Sequence, residues 1–157
     1  MTENSFLPLR RGVLGAMFAS VALSRPSSAQ QRNVPTGQEP TDMRIRLAFN
    51  GKSMTATLYD NPSARDLASL LPLDLTIDDY GNNEKIAYLP RKLTEDGSGP
   101  FGNERPGDLC YFKSWGNLAM FYADYRCEGL IRLGRFEGGF EPLLVRGKFP
   151  LRIERIP

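Results

Sequence analysis

The sequence predicts a mostly-β domain: a small closed barrel of about eight strands with one main α-helix over an end. Three observations predict it. Short stretches of strict apolar/polar alternation recur along residues 43–157. Turn residues separate them at short intervals. Only one segment switches to a helical period. Composition agrees: 41% hydrophobic and 24% charged residues in 157 suit one water-facing domain with a core of its own.

Met43, Ile45, Leu47 and Phe49 alternate with Arg44, Arg46 and Ala48, a half-buried strand. Asn50-Gly51 is a strong hairpin signal, and Ser53–Tyr59 is the return strand. Asn61 is suited to cap a helix and Pro62 to enter its first turn. Ala64, Leu67, Ala68 and Leu71 then share one helical face, and Pro72 ends it. Leu73, Leu75 and Ile77 alternate as a strand, Asp78–Asn83 reads as a turn, and Ile86–Leu89 as a short strand. Residues 91–108 form a long Gly- and Pro-rich loop, of the kind that often carries function. Leu109–Lys113 and Leu118–Tyr122 are aromatic-rich strands joined by Ser114-Trp115-Gly116-Asn117. Leu130–Phe136 is a further strand, one helical turn is expected near Pro142, and Phe149–Glu154 closes the domain.

Residues 1–29 read as an export signal: Arg10-Arg11, an apolar stretch from Gly12 to Leu23, and Ser27-x-Ala29 as a small-residue cleavage site. The Arg pair and Arg25 resemble a bacterial twin-arginine signal, although Leu9 stands where Ser or Thr usually precedes the pair; the general secretory route is the alternative. The expected destination is periplasmic or secreted, with no stable membrane insertion after cleavage. Residues 30–42, with two prolines and a glycine, read as a flexible linker. The formal charge of +2 resides in the leader, where Arg10, Arg11 and Arg25 face Glu3; the remainder is balanced, so no global field favours nucleic acid.

The chain contains no histidine. That excludes Ser-His-Asp and Cys-His nucleophiles and His-ligated zinc, and no metal or cofactor is expected. Gly97–Gly102 matches GxGxxG without the flanking strand and helix that a dinucleotide site needs. Asp78 and Asp79 are adjacent on an extended chain and point apart, so they read as a solvated turn rather than an acid/base pair. Cys110 and Cys127 are an even pair, open to a disulfide or to two buried thiols. Trp115 is either a recognition platform or a plug folded back on the barrel. Of Tyr111, Phe112, Phe121 and Tyr122, alternation sends half inward. Arg91 and Lys92 open the long loop and are candidate anion contacts or solvated charges.

Residues 58–93 (LYDNPSARDLASLLPLDLTIDDYGNNEKIAYLPRKL), 107–122 (GDLCYFKSWGNLAMFY) and 130–139 (LIRLGRFEGG) resemble the small bacterial cyclophilin-like family, and the resemblance extends over 43–156. It implies a cyclophilin-type eight-stranded barrel. Cyclophilins isomerise prolyl bonds with a barrel-strand Arg, a nearby His and an apolar pocket. By order of elements that Arg would fall in residues 73–79, which hold none, and the His has no counterpart. Met120 or Phe121 is expected as the pocket's hydrophobic floor. The leading reading is an exported binding module for a peptide or small molecule, in a surface groove lined by Tyr80, Asn83, Glu84, Arg91, Trp115, Asn117 and Phe121. The alternatives are a divergent prolyl isomerase and a structural envelope protein without a ligand.

Overall fold

The computed structural model describes residues 34–96 and 99–157. The expected leader, and Gly97 and Ser98 of the glycine motif, lie outside these residues, and residues 99–102 are neither strand nor helix. The elements are β1 (Pro40–Phe49), β2 (Lys52–Tyr59), α1 (Pro62–Leu70), β3 (Leu73–Tyr80), β4 (Glu84–Tyr88), β5 (Asp108–Phe112), β6 (Asn117–Phe121), β7 (Leu130–Glu137), a 3-10 turn at Glu141–Leu144, and β8 (Phe149–Ile156). The eight strands close in the order β1-β2-β7-β5-β6-β4-β3-β8, every pairing antiparallel. Closure leaves no exposed sheet edge among the described residues.

The first strand opens at Pro40, earlier than alternation alone suggests, and Pro40 faces Tyr59 across an irregularity in the ladder. The hairpin turn holds Asn50 and Gly51 at φ +51° and +69°, the left-handed pair that matches the twist of its strands. Asn61 caps α1: its side chain accepts from the Ala64 N–H at 2.9 Å and donates to the carbonyls of Gly37 and Arg132. Ala64 and Leu67 then join the main core.

Inward residues fill the lumen. Ile45, Leu47, Met54, Leu58, Ile77, Leu109, Tyr111, Leu118, Met120, Leu133, Leu151 and Ile153 form one buried cluster. This barrel is packed, not hollow. A smaller cluster of Cys110, Ala119, Phe121 and Leu130 lies apart from it, with Phe101, Phe112 and Tyr125 packed against it. Alternation along β5 and β6 places that second cluster on the outer wall.

The Asp78–Asn83 turn of the sequence reading is shorter in the structure, since β3 continues to Tyr80. Asp79 is no solvated turn residue. Its Oδ1 accepts from Lys85 Nζ at 2.7 Å and its Oδ2 from the Gly147 N–H at 2.6 Å. Lys85 is 0% exposed, also donates to the Gly147 carbonyl, and stands 5.5 Å from the Phe149 ring. Burial pushes the Asp79 carboxyl up, but the bonds from Lys85 and Gly147 outweigh it and leave it below the ordinary range. A buried ammonium survives only with such partners.

Gly134 sits where β7 crosses β2. A Cβ there would lie 2.2 Å from the Thr57 carbonyl oxygen and 3.0 Å from Leu58 Cα, both backbone. Gly134→Ala is therefore expected to destabilise the barrel by about 2 kcal/mol through overpacking. Urea denaturation checks this; an unchanged midpoint would show that β2 and β7 separate freely.

Candidate functional site

A cleft of about 140 Å³ opens on the outer wall over β4, β5 and β6. Its lining follows from strand register. Glu84 pairs with Phe121, and Ile86 with Ala119. Side chains at every second position share a face, so Glu84 and Ile86 from β4 join Asn117, Ala119 and Phe121 from β6. Tyr80, opposite Glu84 on β3, and Trp115, in the β5–β6 turn, form the lip and are 46% and 47% exposed. Their rings meet edge to face at 5.4 Å, and Phe112 meets Trp115 in the same way at 5.3 Å. Cys127 and Leu130 close the far side. A second hollow of about 390 Å³, lined by Phe101, Glu104, Arg126 and Glu128 among others, adjoins the first and shares Cys127 and Leu130 with it.

Two polar groups in the first cleft lack partners. Asn117 is 1% exposed; its Nδ2 donates to the Leu118 carbonyl at 3.0 Å, while its Oδ1 accepts from nothing. Glu84 is half-buried, and burial raises its carboxyl to about 7. The neighbouring Lys85 cannot relieve it, because alternation turns Lys85 through the barrel wall toward Asp79. Three carboxylates of the barrel wall and helix each have a cation: Asp79 has Lys85, Asp108 has Arg135, and Asp66 has Arg91.

The structure brings together five of the seven residues singled out from sequence: Tyr80, Glu84, Trp115, Asn117 and Phe121. It separates the other two. Arg91 holds Asp66 on α1 through both guanidinium Nη atoms, at 3.0 and 2.7 Å. That pair, with the Thr94 N–H, draws the Asp66 carboxyl down to about 2 and ties the start of the long loop to the helix. Asn83 lies beside the cleft, its Nδ2 3.4 Å from the Asp124 carbonyl. Met120 points into the lumen, so Phe121 alone of that pair belongs to the floor. Trp115 is not a barrel plug.

Ile86, Phe112, Ala119, Cys127 and Leu130 complete the lining. Alternation on β4 and β6 carried the signal for Ile86 and Ala119; nothing local marked Cys127 or Leu130. The two thiols are free: Cys110 is fully buried and Cys127 exposed, so neither sequence alternative describes both. Burial raises both thiols, which keeps them neutral and poor nucleophiles. Among the described residues no group of three or more Cys, Asp or Glu is placed to hold a metal ion, and no helix is long and apolar enough to cross a membrane.

The loops that flank the cleft are anchored at one carboxylate. Asp108, 0% exposed, accepts from Arg135 Nη1 at 2.7 Å, from the Tyr125 hydroxyl at 2.7 Å and from the Arg105 N–H at 3.0 Å, with Arg132 Nε at 3.7 Å. Arg132 also donates to Asn103 Oδ1 and lies 4.1 Å from the Phe101 ring centroid. Residues three apart on a regular strand face opposite ways. The β5–β7 register shifts between Leu109 and Cys110, and this bulge turns Arg132 and Arg135 to one side. Tyr125 in turn stacks on Phe121 at 3.5 Å, so the floor of the cleft is braced from behind.

A small closed antiparallel barrel with a filled lumen and a cleft on its outer wall is the class this fold defines. The chain belongs to the cyclophilin-like family, whose model matches residues 47–154. The solution structure of a hypothetical protein from Archaeoglobus fulgidus shares the fold: TM-score 0.62 at 17% identity, covering 76% of this chain and 99% of that one. No curated protein matches the sequence.

Two predictions follow from the site. Asp108→Ala leaves Arg132 and Arg135 without their shared carboxylate and is expected to cost about 3–5 kcal/mol, the usual loss when one partner of a buried pair is removed. Amide exchange should rise in residues 101–107 and 122–129 before the rest of the barrel; uniform protection would show that Asp108 does not anchor them. Glu84 should titrate near 7, visible in the 13C shift of its carboxyl. A raised folded-state value means the folded protein binds the proton more tightly than the unfolded chain. Stability from this group is therefore full below its unfolded value and is lost as pH rises to about 7. Glu84→Gln should flatten that slope; an unchanged slope would assign it to another group.

Proposed function

We propose that the domain is an exported binding module whose outer cleft takes up a peptide or a small molecule. The observation that carries this reading is the pair of unpartnered polar groups, Glu84 and Asn117 Oδ1, in a cleft with an aromatic lip. The core does not need them, because the lumen is filled without them. Buried polar groups left unpaired cost free energy, and a ligand that satisfies them recovers it. The adjoining hollow gives room for a second residue of an extended ligand. Export rests on the basic, apolar and small-residue order of residues 1–29.

A divergent prolyl isomerase is the second reading, supported by the apolar floor of Ile86, Phe121 and Leu130. No Arg or Lys is among the cleft-lining residues to donate to a prolyl nitrogen.

NMR spectroscopy of the protein mixed with short Xaa-Pro peptides and a small-molecule fragment set tests both. The expected outcome is shifts confined to Tyr80, Trp115 and Phe121, with affinity reduced at least about tenfold in Phe121→Ala, equivalent to ~1.4 kcal/mol. Exchange cross-peaks between cis and trans peptide at catalytic protein amounts would establish an isomerase, since unaided exchange is too slow to produce them. Absence of shifts with every compound would overturn the binding reading in favour of a structural role.

A further inference from the structure

We infer that the outer cleft recognises an ammonium group bearing N–H donors, such as a peptide N-terminus or a free alkylamine, held by the Glu84 carboxylate beside the rings of Tyr80, Trp115 and Phe121. The inference rests on the binding reading and narrows it to a ligand class.

Four features converge. The first is charge: Glu84 is the one carboxylate in the lining, and among the described residues no lysine or arginine pairs with it. Asp79, Asp66 and Asp108 are met by cations of the chain itself. The cation missing at Glu84 is one the ligand can bring. The second is hydrogen bonding. Glu84, half-buried in this wall, accepts no hydrogen bond from the described residues, whereas Asn117 stands opposite Tyr88, four residues along the strand, out of reach of the same ligand atom. A carboxylate without donors calls for a ligand atom bearing N–H bonds, which an ammonium has and a carboxylate or phosphate lacks.

The third is aromatic. Tyr80 and Trp115 stand at 82° to each other, so they form a corner rather than a flat wall. Cations are attracted to such ring faces, most strongly to Trp. The fourth is size. A cleft of about 140 Å³ holds a small headgroup and not a folded partner, while the adjoining hollow receives whatever is attached to it.

The electrostatic surroundings do not oppose this. Tyr80 faces Glu84 from β3, Cys127 from the segment between β6 and β7, and Cys110 lies behind on β5. Burial keeps both thiols neutral. Glu104, Arg126 and Glu128, two negative charges and one positive, line the adjoining hollow. Nothing positive in the cleft would repel an ammonium.

Calorimetric titration of the protein with butylamine and with pentan-1-ol, its neutral counterpart, tests the inference. Butylammonium is expected to bind at least tenfold more tightly. Its affinity should rise from pH 6 to pH 8 as Glu84 gives up its proton, with pentanol unaffected. Glu84→Gln, which keeps shape and removes charge, should abolish the preference and leave pentanol binding intact. A dialanine amide with a free N-terminus, compared with its acetylated form, separates the two sources: discrimination there points to peptide termini, and its absence with butylammonium still bound points to free amines. Equal binding of butylammonium and pentanol would overturn the ammonium inference while the cleft remains a binding site. Failure of both probes, where neutral peptides or fragments still bind, would also overturn the inference alone. Failure of every compound overturns both readings.

Discussion

The cleft wall depends on the carboxylate of Asp108. It sits in the barrel wall and collects donors from three separate segments: Arg135 on β7, Arg105 before β5, and Tyr125 after β6. Neither flanking segment has regular secondary structure, so neither has a ladder of its own to fix its position. Charge-assisted bonds to a dry carboxylate supply what the ladder would have supplied. Tyr125 passes the constraint to Phe121 by stacking, and Phe121 is the floor. A single buried anion thus sets both the loops and the depth of the hollow they border.

A second constraint is the alternation of β4. Glu84 and Lys85 are neighbours in sequence with opposite charges, yet they never meet. Lys85 turns inward and is stabilised by Asp79 and the Gly147 carbonyl, joining the segment before β8 to the β3–β4 corner. Glu84 turns outward and is left in an apolar wall with an elevated proton affinity. The pleat of one strand makes one member of the pair structural and leaves the other available to solvent and solute.

Much of this was legible in the sequence, and the reasons it stops are physical. Local signals mark the hairpin at Asn50-Gly51, the helix capped by Asn61, and the strands, because each is written in periods of two or 3.6 and in turn chemistry. Five cleft residues were legible because they fall on strands β4 and β6 or at the ends of strands beside them. The pairing of Arg91 has no local signature, because its partner, Asp66, lies on a helix that only tertiary packing brings near. The burial of Lys85 was hidden for the same reason, since its neutraliser arrives from β3. The bulge that puts Arg132 and Arg135 on one side of β7 has no local signature, and without it the Asp108 network cannot be foreseen. Cys127 and Leu130 enter through a loop and a strand start whose paths depend on that network.

The filled lumen has an implication for how such a barrel can diverge. The residues that hold it closed point inward, and those that shape the cleft point outward from the same strands. Substitution at Tyr80, Glu84 or Trp115 alters what the wall presents to solvent without removing a side chain from the main core. The residues that close the barrel and those that shape its outer cleft are therefore nearly independent sets, interleaved along the same strands. The chemistry of the cleft can change while the barrel stays, and a barrel of the same fold does occur at 17% identity.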